Sequence, residues 1–297
     1  MAQNQHRLGL ALVACAALCW SSSGLFTRAV SAELFTLLFW RGLISGSLVL
    51  LAFFVLEGKA ALPELIKLRW PSLFVALFST LSMISGIGSL RYGSVADAMV
   101  IYATVPFVTA GIAYFAIGEK PSRATLMASV FALVGVVVMI AGSGFSGSML
   151  GKGLAVFMML GMACCSVLLR QNRDVPMLPA MAASAYLCSF ISFWFAGPLQ
   201  LSSNDMVLVA GFGILQNGAG LIFYTLGSRK IPAAEATLLA ALEVPFTPLW
   251  VWLLVGEVPA PFTMIGGAIV LLALFGHIIN ELRGKSPAQP EGFEVGL

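Results

Sequence analysis

The segment RYGSVADAMVIYATVPFVTAGIAYFAIGEKP, residues 91–121, is related to RKIPAAEATLLAALEVPFTPLWVWLLVGEVP, residues 229–259. The two segments align without a gap, at an offset of 138 residues. The matched pairs are Arg91/Arg229, Ala96/Ala234, Asp97/Glu235, Ala98/Ala236, Ala103/Ala241, Gly118/Gly256, Glu119/Glu257 and Pro121/Pro259. An apolar chain built from two related parts is typical of secondary transporters, whose substrate site lies between the repeats.

The composition of the chain is that of a membrane protein. Hydrophobic residues make up 59% of it, charged residues make up 10%, and the mean hydropathy is +0.96. Soluble domains, by contrast, are about one quarter charged. Nearly uncharged stretches recur, each close to the length of about 20 residues that a helix needs to cross a bilayer. They cover residues 8–27, 34–56, 71–90, 95–117, 124–142, 151–169, 178–199, 206–226, 233–255 and 262–280. The sequence therefore predicts an all-α integral membrane protein with ten transmembrane helices.

Lys and Arg are unevenly distributed between the two ends of these predicted helices. If the N-terminus is cytoplasmic, twelve of the 16 lie in cytoplasmic segments and three in external segments, while Arg41 lies within a helix. The cytoplasmic set is Arg7, Lys59, Lys67, Arg69, Lys120, Arg123, Arg170, Arg173, Arg229, Lys230, Arg283 and Lys285, and the external set is Arg28, Arg91 and Lys152. The positive-inside rule then predicts that both termini are cytoplasmic. We expect the membrane to be the inner (plasma) membrane of a bacterium. Because topology accounts for the net charge of +3, we expect no nucleic-acid partner.

Each repeat contains five predicted helices, an odd number, so the second repeat must enter the membrane from the opposite side. Residues 1–147 are predicted to form the first five-helix repeat and residues 148–283 the second, inverted one. Residues 284–297 are polar and Pro-rich and are predicted to be a disordered cytoplasmic tail. Inverted repeats can exchange conformations, so that one state opens outward and its near mirror image opens inward. This organisation predicts transport by alternating access.

Polar side chains at membrane depth must face protein or a water-filled cavity, since lipid offers them no hydrogen bonds. Gln216 and Asn217 are adjacent amides near the middle of the eighth helix and are candidates to bind a carboxylate or an ammonium group. The alternative for them is hydrogen bonding across a glycine-rich helix contact. Ser79, Ser82 and Ser85 share one face of the third helix, which either lines a cavity or packs closely against a neighbour. We include Ser82 among the candidate binding residues.

Glu243 is the only carboxylate deep inside a predicted helix, and Pro245 and Pro248 follow it. An ionised carboxylate is costly there, so we expect Glu243 to be neutral or paired. Prolines free backbone carbonyls about one turn earlier, and a broken helix beside a carboxylate suits a substrate amine or a proton. The alternative is a packing residue bonded to the backbone. Arg41 lies near the start of the second helix, from where its side chain can reach the outer interface, and we interpret it as structural.

Four aromatic side chains near the middle of the predicted helices are candidates for a surface that binds an apolar group. They are Trp20, Tyr102, Tyr224 and Trp250. Aromatic residues at such depth also pack in protein cores, so that alternative stays open for each of them.

Motifs for catalysis, cofactors or metals do not occur in the sequence. It contains no phosphate loop, HExxH motif, GxSxG motif or His/Cys cluster, and His6 and His277 lie at opposite ends of the chain. The five cysteines fall inside predicted helices, where we interpret them as small packing residues. We therefore expect no enzyme activity, no cofactor and no metal site. A membrane-embedded enzyme or a passive channel is a less favoured alternative, because neither paired catalytic groups nor repeated pore rings are evident.

Several further stretches carry a resemblance to a known family. They are Ala16-Ala17-Leu18-Cys19-Trp20-Ser21-Ser22-Ser23, Phe39-Trp40-Arg41, Leu242-Glu243-Val244-Pro245-Phe246 and the two Gly-Glu pairs that are followed by Pro. In their order and doubling, over residues 1–283, they resemble the ten-helix EamA-type exporters of the drug/metabolite transporter superfamily. The resemblance implies export of small metabolites, often amino acids, and the aromatic content is similar to that of bacterial exporters of aromatic amino acids.

These observations together predict the function. We expect a secondary transporter in a lipid membrane that exports a small amphipathic metabolite such as an amino acid, with protons as a candidate coupling ion. The alternative cargo is a phosphorylated sugar or a nucleotide conjugate. That cargo would require cationic groups at mid-depth, and the sequence places none deeper than Arg41.

Overall fold

The computed structural model describes residues 2–66, 69–93, 95–141, 148–256 and 260–283. Within these ranges the chain forms helices and no strands. Ten long helical segments follow one another: α1 (Ala2–Ser21, then Ser23–Ala29), α2 (Leu34–Glu57), α3 (Trp70–Tyr92), α4 (Val95–Ala103, then Val105–Ile117), α5 (Arg123–Ile140), α6 (Met149–Gln171), α7 (Leu178–Phe195), α8 (Ser203–Gly211, Phe212–Ala219 and Gly220–Ser228), α9 (Ala233–Ala240, then Glu243–Val255) and α10 (Pro261–Arg283). A 3-10 turn (Gly58–Ala60) and a short helix (Ala61–Ile66) lie between α2 and α3. Nine of them are long and apolar enough to cross a bilayer, and α5 is shorter. The all-helical prediction is confirmed, whereas the predicted tail at residues 284–297 lies outside the described residues.

Helix ends follow local sequence signals. Ser122, Ser148 and Ser202 begin α5, α6 and α8, and each hydroxyl accepts a hydrogen bond from a backbone N–H three residues later. Gly118 and Gly256 end α4 and α9 with φ angles of 67° and 78°. Only glycine adopts this left-handed conformation without strain, which explains why the same residue recurs at matched positions of the two repeats.

Four helices depart from regular α geometry near their middle. The first part of α1 (α1a, Ala2–Ser21) is separated from the second (α1b, Ser23–Ala29) at Ser22. The two parts of α4 meet at Thr104, and those of α9 (α9a, Ala233–Ala240; α9b, Glu243–Val255) meet at residues 241–242. The breaks in α4 and α9 occupy matched positions of the two repeats, and a proline follows each closely. In α8, Phe212–Ala219 forms a π-helix, a rare form that is frequent at functional sites.

The most extensive helix contacts join one repeat to the other. They pair α3 with α6, α2 with α7, α5 with α10 and α1 with α8. The repeat matches each helix with the one five places later in the chain, so α1 corresponds to α6 and α3 to α8. Under this correspondence the α2–α7 and α5–α10 pairs each map onto themselves, and the α3–α6 pair maps onto the α8–α1 pair. This is the pairing expected of two repeats related by a two-fold axis, as the sequence predicts.

The two ends of the bundle can be named from the described residues. The terminal end holds Ala2, the turn at residues 118–122 and the turn at residues 229–232; there Lys230 Nζ donates to Gln5 Oε1 at 2.5 Å. The opposite end holds the turns at residues 30–33 and 196–202, where the Ser31 N–H donates to Asp205 Oδ1 at 3.0 Å.

Which end faces the cytoplasm is predicted by the charge asymmetry. We expect a cysteine introduced at the exposed position Arg123, in a chain without its five free cysteines, to resist an impermeant thiol reagent in intact cells. A cysteine at Gln200, exposed at the opposite end, is the matched control and should be labelled. Efficient labelling at position 123 with none at 200 would reverse the orientation.

Glycines allow the paired helices to approach closely. A Cβ at Gly135 of α5 would lie 2.8 Å from the Gly266 carbonyl oxygen and 2.9 Å from the Val270 nitrogen of α10. A Cβ at Gly266 would in turn overlap the backbone of Gly135 and Met139. These obstacles are backbone atoms, which cannot turn away as a side chain can, so the α5–α10 contact depends on both glycines.

Gly266→Ala should therefore destabilise the folded protein by about 1–3 kcal/mol, the usual cost of overpacking. Gly276→Ala is the matched control on the same helix, because a Cβ at Gly276 meets no atom within 4 Å. Thermal unfolding in detergent should show a lower midpoint for the first variant and no loss for the second. Equal midpoints would contradict this account of the α5–α10 contact.

Candidate functional site

A cavity lies between the repeats, where α1, α8 and α9 depart from regular geometry. It holds about 140 Å³ that the centre of a water molecule can occupy. Its lining extends from Leu90 and Ala98, beside the α3–α4 turn at the opposite end, to Tyr224, which lies about one turn from the end of α8. Met181, about one turn from the start of α7 at the terminal end, also lines it, so the cavity reaches to within about one turn of both ends of the bundle.

Six of the eight predicted binding residues line this cavity. They are Trp20, Ser82, Tyr102, Asn217, Tyr224 and Glu243. The other two, Gln216 and Trp250, are not among its lining residues. Gln216 is buried and accepts a hydrogen bond from Arg41, while Trp250 Nε1 donates to Ser21 Oγ at 2.7 Å, beside the break in α1. Each of the two contacts a neighbouring helix.

One wall of the cavity is aromatic. The rings of Trp20 and Tyr224 have centroids 5.0 Å apart and an interplanar angle of 39°. Ser166 Oγ donates to the Met162 carbonyl at 2.6 Å, so the Tyr224 hydroxyl, 2.6 Å from the same oxygen, donates to Ser166. This bond holds the Tyr224 ring in position and satisfies its polar end, which leaves the ring as an apolar surface.

Methionines form much of the remaining apolar lining, a feature that the sequence analysis did not identify. The set is Met83, Met99, Met158, Met162 and Met181. Methionine has three rotatable bonds and a polarizable sulfur, so such a wall adapts to different apolar shapes and contacts aromatic rings favourably.

Asn217 presents one half of its amide to the cavity. Its Nδ2 donates to Ser45 Oγ at 2.7 Å, within the buried contact between α8 and α2. Its carbonyl oxygen accepts no hydrogen bond from the described residues. Asn217 therefore offers the cavity a hydrogen-bond acceptor, and Ser45 holds it in place.

The side chain of Arg41 does not reach the outer interface that the sequence analysis expected it to reach. It is 2% exposed and lines the cavity. Its Nη1 donates to Gln216 Oε1 at 3.1 Å, and its guanidinium carbon lies 5.1 Å from the centroid of the Phe212 ring. Its Nε is buried and has no partner among the described residues. The side chain faces inward because α2 packs against the π-helical part of α8. The sequence signal that could have predicted this position of Arg41 is a charged residue within an apolar span.

Glu243 is half-buried, and it lines the cavity as the first residue of α9b. The positive end of the α9b dipole favours a negative charge at this position. The Tyr102 hydroxyl adjoins the carboxyl group. The prediction of a carboxylate beside a broken helix thus agrees with the observed geometry, because α9 is interrupted immediately before Glu243.

The terminal end is closed by a polar network that joins the two repeats. Glu119 Oε2 accepts from Arg170 Nε at 3.0 Å, and Glu119 Oε1 accepts from the Ala233 N–H, at the start of α9a, at 2.8 Å. Arg170 Nη1 also donates to the Arg229 carbonyl at 3.1 Å. The Gly-Glu pair at residues 118–119 therefore joins the two repeats, in addition to ending α4. Its counterpart Glu257 lies outside the described residues.

A more fully buried carboxylate lies near this network, in the first turn of α9a. Glu235 of α9a is 2% exposed and contacts both His6 and His277. The two histidines are far apart in the chain, and the sequence therefore gave no reason to associate them. Because the number of long helical segments is even, the start of α1 and the end of α10 lie at the same end of the bundle.

Comparisons with known proteins agree with the two-repeat architecture. A model of the EamA-like transporter family matches the chain twice, at residues 7–141 and 147–279. A solved structure, described only as the crystal structure of a protein, superposes with a TM-score of 0.76 at 18% sequence identity, over 90% of this chain and 94% of its own. At that identity the likeness concerns the fold alone. No curated protein sequence matches the chain.

Proposed function

The chain belongs to the EamA-like transporter family, and from this premise we propose that it exports a zwitterionic amino acid with a large apolar side chain by alternating access. Members of this family are integral membrane transporters of drugs and metabolites. The proposal concerns which solute is carried and by what mechanism.

The observation that carries the proposal is the presence of Arg41 and Glu243 on the wall of one cavity. Among the described residues, Arg41 has no carboxylate within ion-pair distance and Glu243 has no cation within it. An α-amino acid carries a carboxylate and an ammonium group on the same carbon atom. A guanidinium binds a carboxylate through charge-assisted hydrogen bonds, and a carboxylate binds an ammonium group in the same way. Asn217 offers a further acceptor for the ammonium group.

The apolar lining supports the choice of side chain. Trp20 and Tyr224 form an aromatic surface, and the methionine wall surrounds the same space. An aromatic or long aliphatic side chain would bury apolar area there, at about 25 cal/mol per Å² removed from water. A short polar side chain would gain little from this lining.

The closed terminal end supports the mechanism. The contact among Glu119, Arg170 and Ala233 joins the two repeats at the terminal end. Under the predicted orientation this is a state closed to the cytoplasm. Exchange of the two repeats' conformations would open the terminal end and close the other.

A phosphorylated sugar or a nucleotide conjugate is the alternative cargo. Arg41 gives it some support, because a phosphate group also binds guanidinium. Arg41 is, however, the one Lys or Arg among the lining residues of the described cavity. A single cation beside Glu243 suits a carboxylate monoanion better than a phosphate with about two negative charges.

The test is uptake into proteoliposomes of purified protein with a matched panel. Phenylalanine carries both charged groups, phenethylamine lacks the carboxylate, and hydrocinnamate lacks the amine. Glucose phosphate and a nucleotide sugar represent the alternative. We expect phenylalanine to be transported and the two single-charge analogues to compete weakly. Rapid exchange of the phosphorylated solutes, with none of phenylalanine, would contradict the proposal.

A further inference from the structure

We infer that Glu235, His277 and His6 form a proton-binding site, separate from the substrate cavity, through which the protein couples protons to the closing of its terminal end. The inference rests on the transport function but not on the identity of the substrate.

The three side chains come from three different helices. His277 Nε2 of α10 lies 3.3 Å from Glu235 Oε1 of α9a, and His6 Nε2 of α1a lies 3.6 Å from the same oxygen. Glu235 and His277 are 2% and 4% exposed. Ionisable groups buried within membrane helices are costly and are typical of proton pathways in transporters.

The chemistry of the cluster suits a proton. Histidine is the side chain that changes charge near neutral pH, so one proton on either imidazole would neutralise the carboxylate charge and strengthen the hydrogen bond between them. His277 Nδ1 is buried and has no partner among the described residues, so Glu235 is the polar contact of this ring. The cluster does not have a geometry that could hold a metal ion.

Other charged groups around α9a are already matched. Glu119 binds Arg170 and the Ala233 N–H, and Lys230 donates to Gln5. Arg123, at the start of α5, is exposed. The remaining titratable groups with described side chains on the helices packed against α9a, or next to its ends, are Arg7, Cys15 and Cys19 of α1, Tyr102 and Tyr114 of α4, Lys152, Cys164 and Cys165 of α6, Asp205 and Tyr224 of α8, the Arg229 guanidinium and Glu243. None of them forms an ion pair with Glu235 in the described structure, so the two histidines are its partners.

The position of the cluster connects proton binding to conformation. Glu235 lies on α9a, which the break at residues 241–242 separates from α9b, whereas His277 lies on α10, which packs mainly on α5. Opening of the terminal end breaks the contact between Glu119, just after α4, and the Ala233 N–H, at the start of the helix that carries Glu235. Movement of α9a would then separate the carboxylate from the imidazoles and admit water from the terminal side. A proton that reaches the cluster from the opposite side while the terminal end is closed therefore stabilises the closed state, and it is released to the terminal side when that end opens.

The experiment compares two modes of transport in proteoliposomes that hold Glu235→Gln or His277→Gln protein. The first mode is counterflow of radiolabelled phenylalanine at equal pH on both sides, which needs conformational exchange alone. The second is net flux driven by an imposed pH gradient. We expect counterflow to stay within about twofold of wild type while gradient-driven flux falls at least about tenfold. Glu33→Gln is the control, because Glu33 is a carboxylate at the opposite end that accepts from the Gly197 N–H.

Other outcomes would overturn the inference. An equal fall of counterflow and gradient-driven flux, with a lower unfolding temperature, would make the cluster a packing feature. A wild-type protein that performs counterflow without responding to a pH gradient would exclude proton coupling, even if a variant fails to fold. If phenylalanine is not carried, the proposed substrate fails, and the same comparison is made with the solute of the panel that is carried.

Discussion

Arg41→Gln is expected to abolish most transport of phenylalanine while leaving competition by phenethylamine unchanged. Arg41 is the cavity's guanidinium, and its removal leaves the substrate carboxylate without a charged partner in a site screened from water. A hydrogen bond to a charged group contributes about 1.5–3 kcal/mol, so kcat/KM for phenylalanine should fall about 10- to 100-fold. Phenethylamine has no carboxylate and should lose nothing.

Two controls separate recognition from folding. Gln216→Leu removes the acceptor of Arg41 Nη1 without altering the lining of the cavity, so it should reduce transport less than Arg41→Gln does. Thermal unfolding of Arg41→Gln should remain near that of wild type, since the substitution also removes the cost of a buried charge. If phenylalanine and phenethylamine lose affinity equally, Arg41 positions helices and does not bind the carboxylate.

The architecture could be derived from the sequence because its signals are local and repeated. Apolar length identifies a span, and Gly118 and Gly256 end matched helices for the same steric reason. The pairing of α3 with α6 and of α1 with α8 follows from the inverted repeat, as a consequence of symmetry. None of these inferences needs the direction in which a particular side chain points.

The candidate site depends on that direction, and there the sequence is less informative. Gln216 and Asn217 are neighbours, and successive helical residues differ by about 100° around the axis. One amide therefore faces the cavity while the other faces Arg41. The π-helical segment Phe212–Ala219 has no counterpart in α3, which is a regular helix, so the repeat could not predict the register of α8. Arg41 was misplaced for the same reason, because its orientation is determined by its contact with this segment.

Clusters of residues that lie far apart in the sequence could not be predicted from it either. His6 and His277 meet at Glu235 only because the N-terminus and the end of α10 reach the same end of the bundle. Glu119 looks like part of a helix-ending motif in the sequence, yet it joins α4, α6 and α9 in the folded protein. Such roles depend on tertiary contacts that no local pattern records.

Glu243→Gln should yield a folded, monodisperse protein with altered substrate selectivity. The amide has nearly the same shape as the carboxylic acid, and Glu243 has no cationic partner that its removal would leave unpaired among the described residues. The substrate ammonium group would lose its charged acceptor, so kcat/KM for phenylalanine should fall about tenfold or more. Hydrocinnamate, which has no ammonium group, should then compete about as well as phenylalanine.

The pattern across variants distinguishes the two carboxylates of α9. Glu243→Gln should impair counterflow itself, because substrate binding is common to every mode of transport, and it should change the pH profile of that counterflow. Glu235→Gln should impair gradient-driven flux alone. Tyr102→Phe is the matched control for Glu243, since it removes the hydroxyl that adjoins the carboxyl group and keeps the charge; it should retain the preference for phenylalanine over hydrocinnamate. If Glu243→Gln keeps the wild-type rate, affinity and pH profile, Glu243 is a packing residue at the break in α9. The substrate ammonium group would then need another hydrogen-bond acceptor, and the carbonyl oxygen of Asn217 is the candidate on the cavity wall.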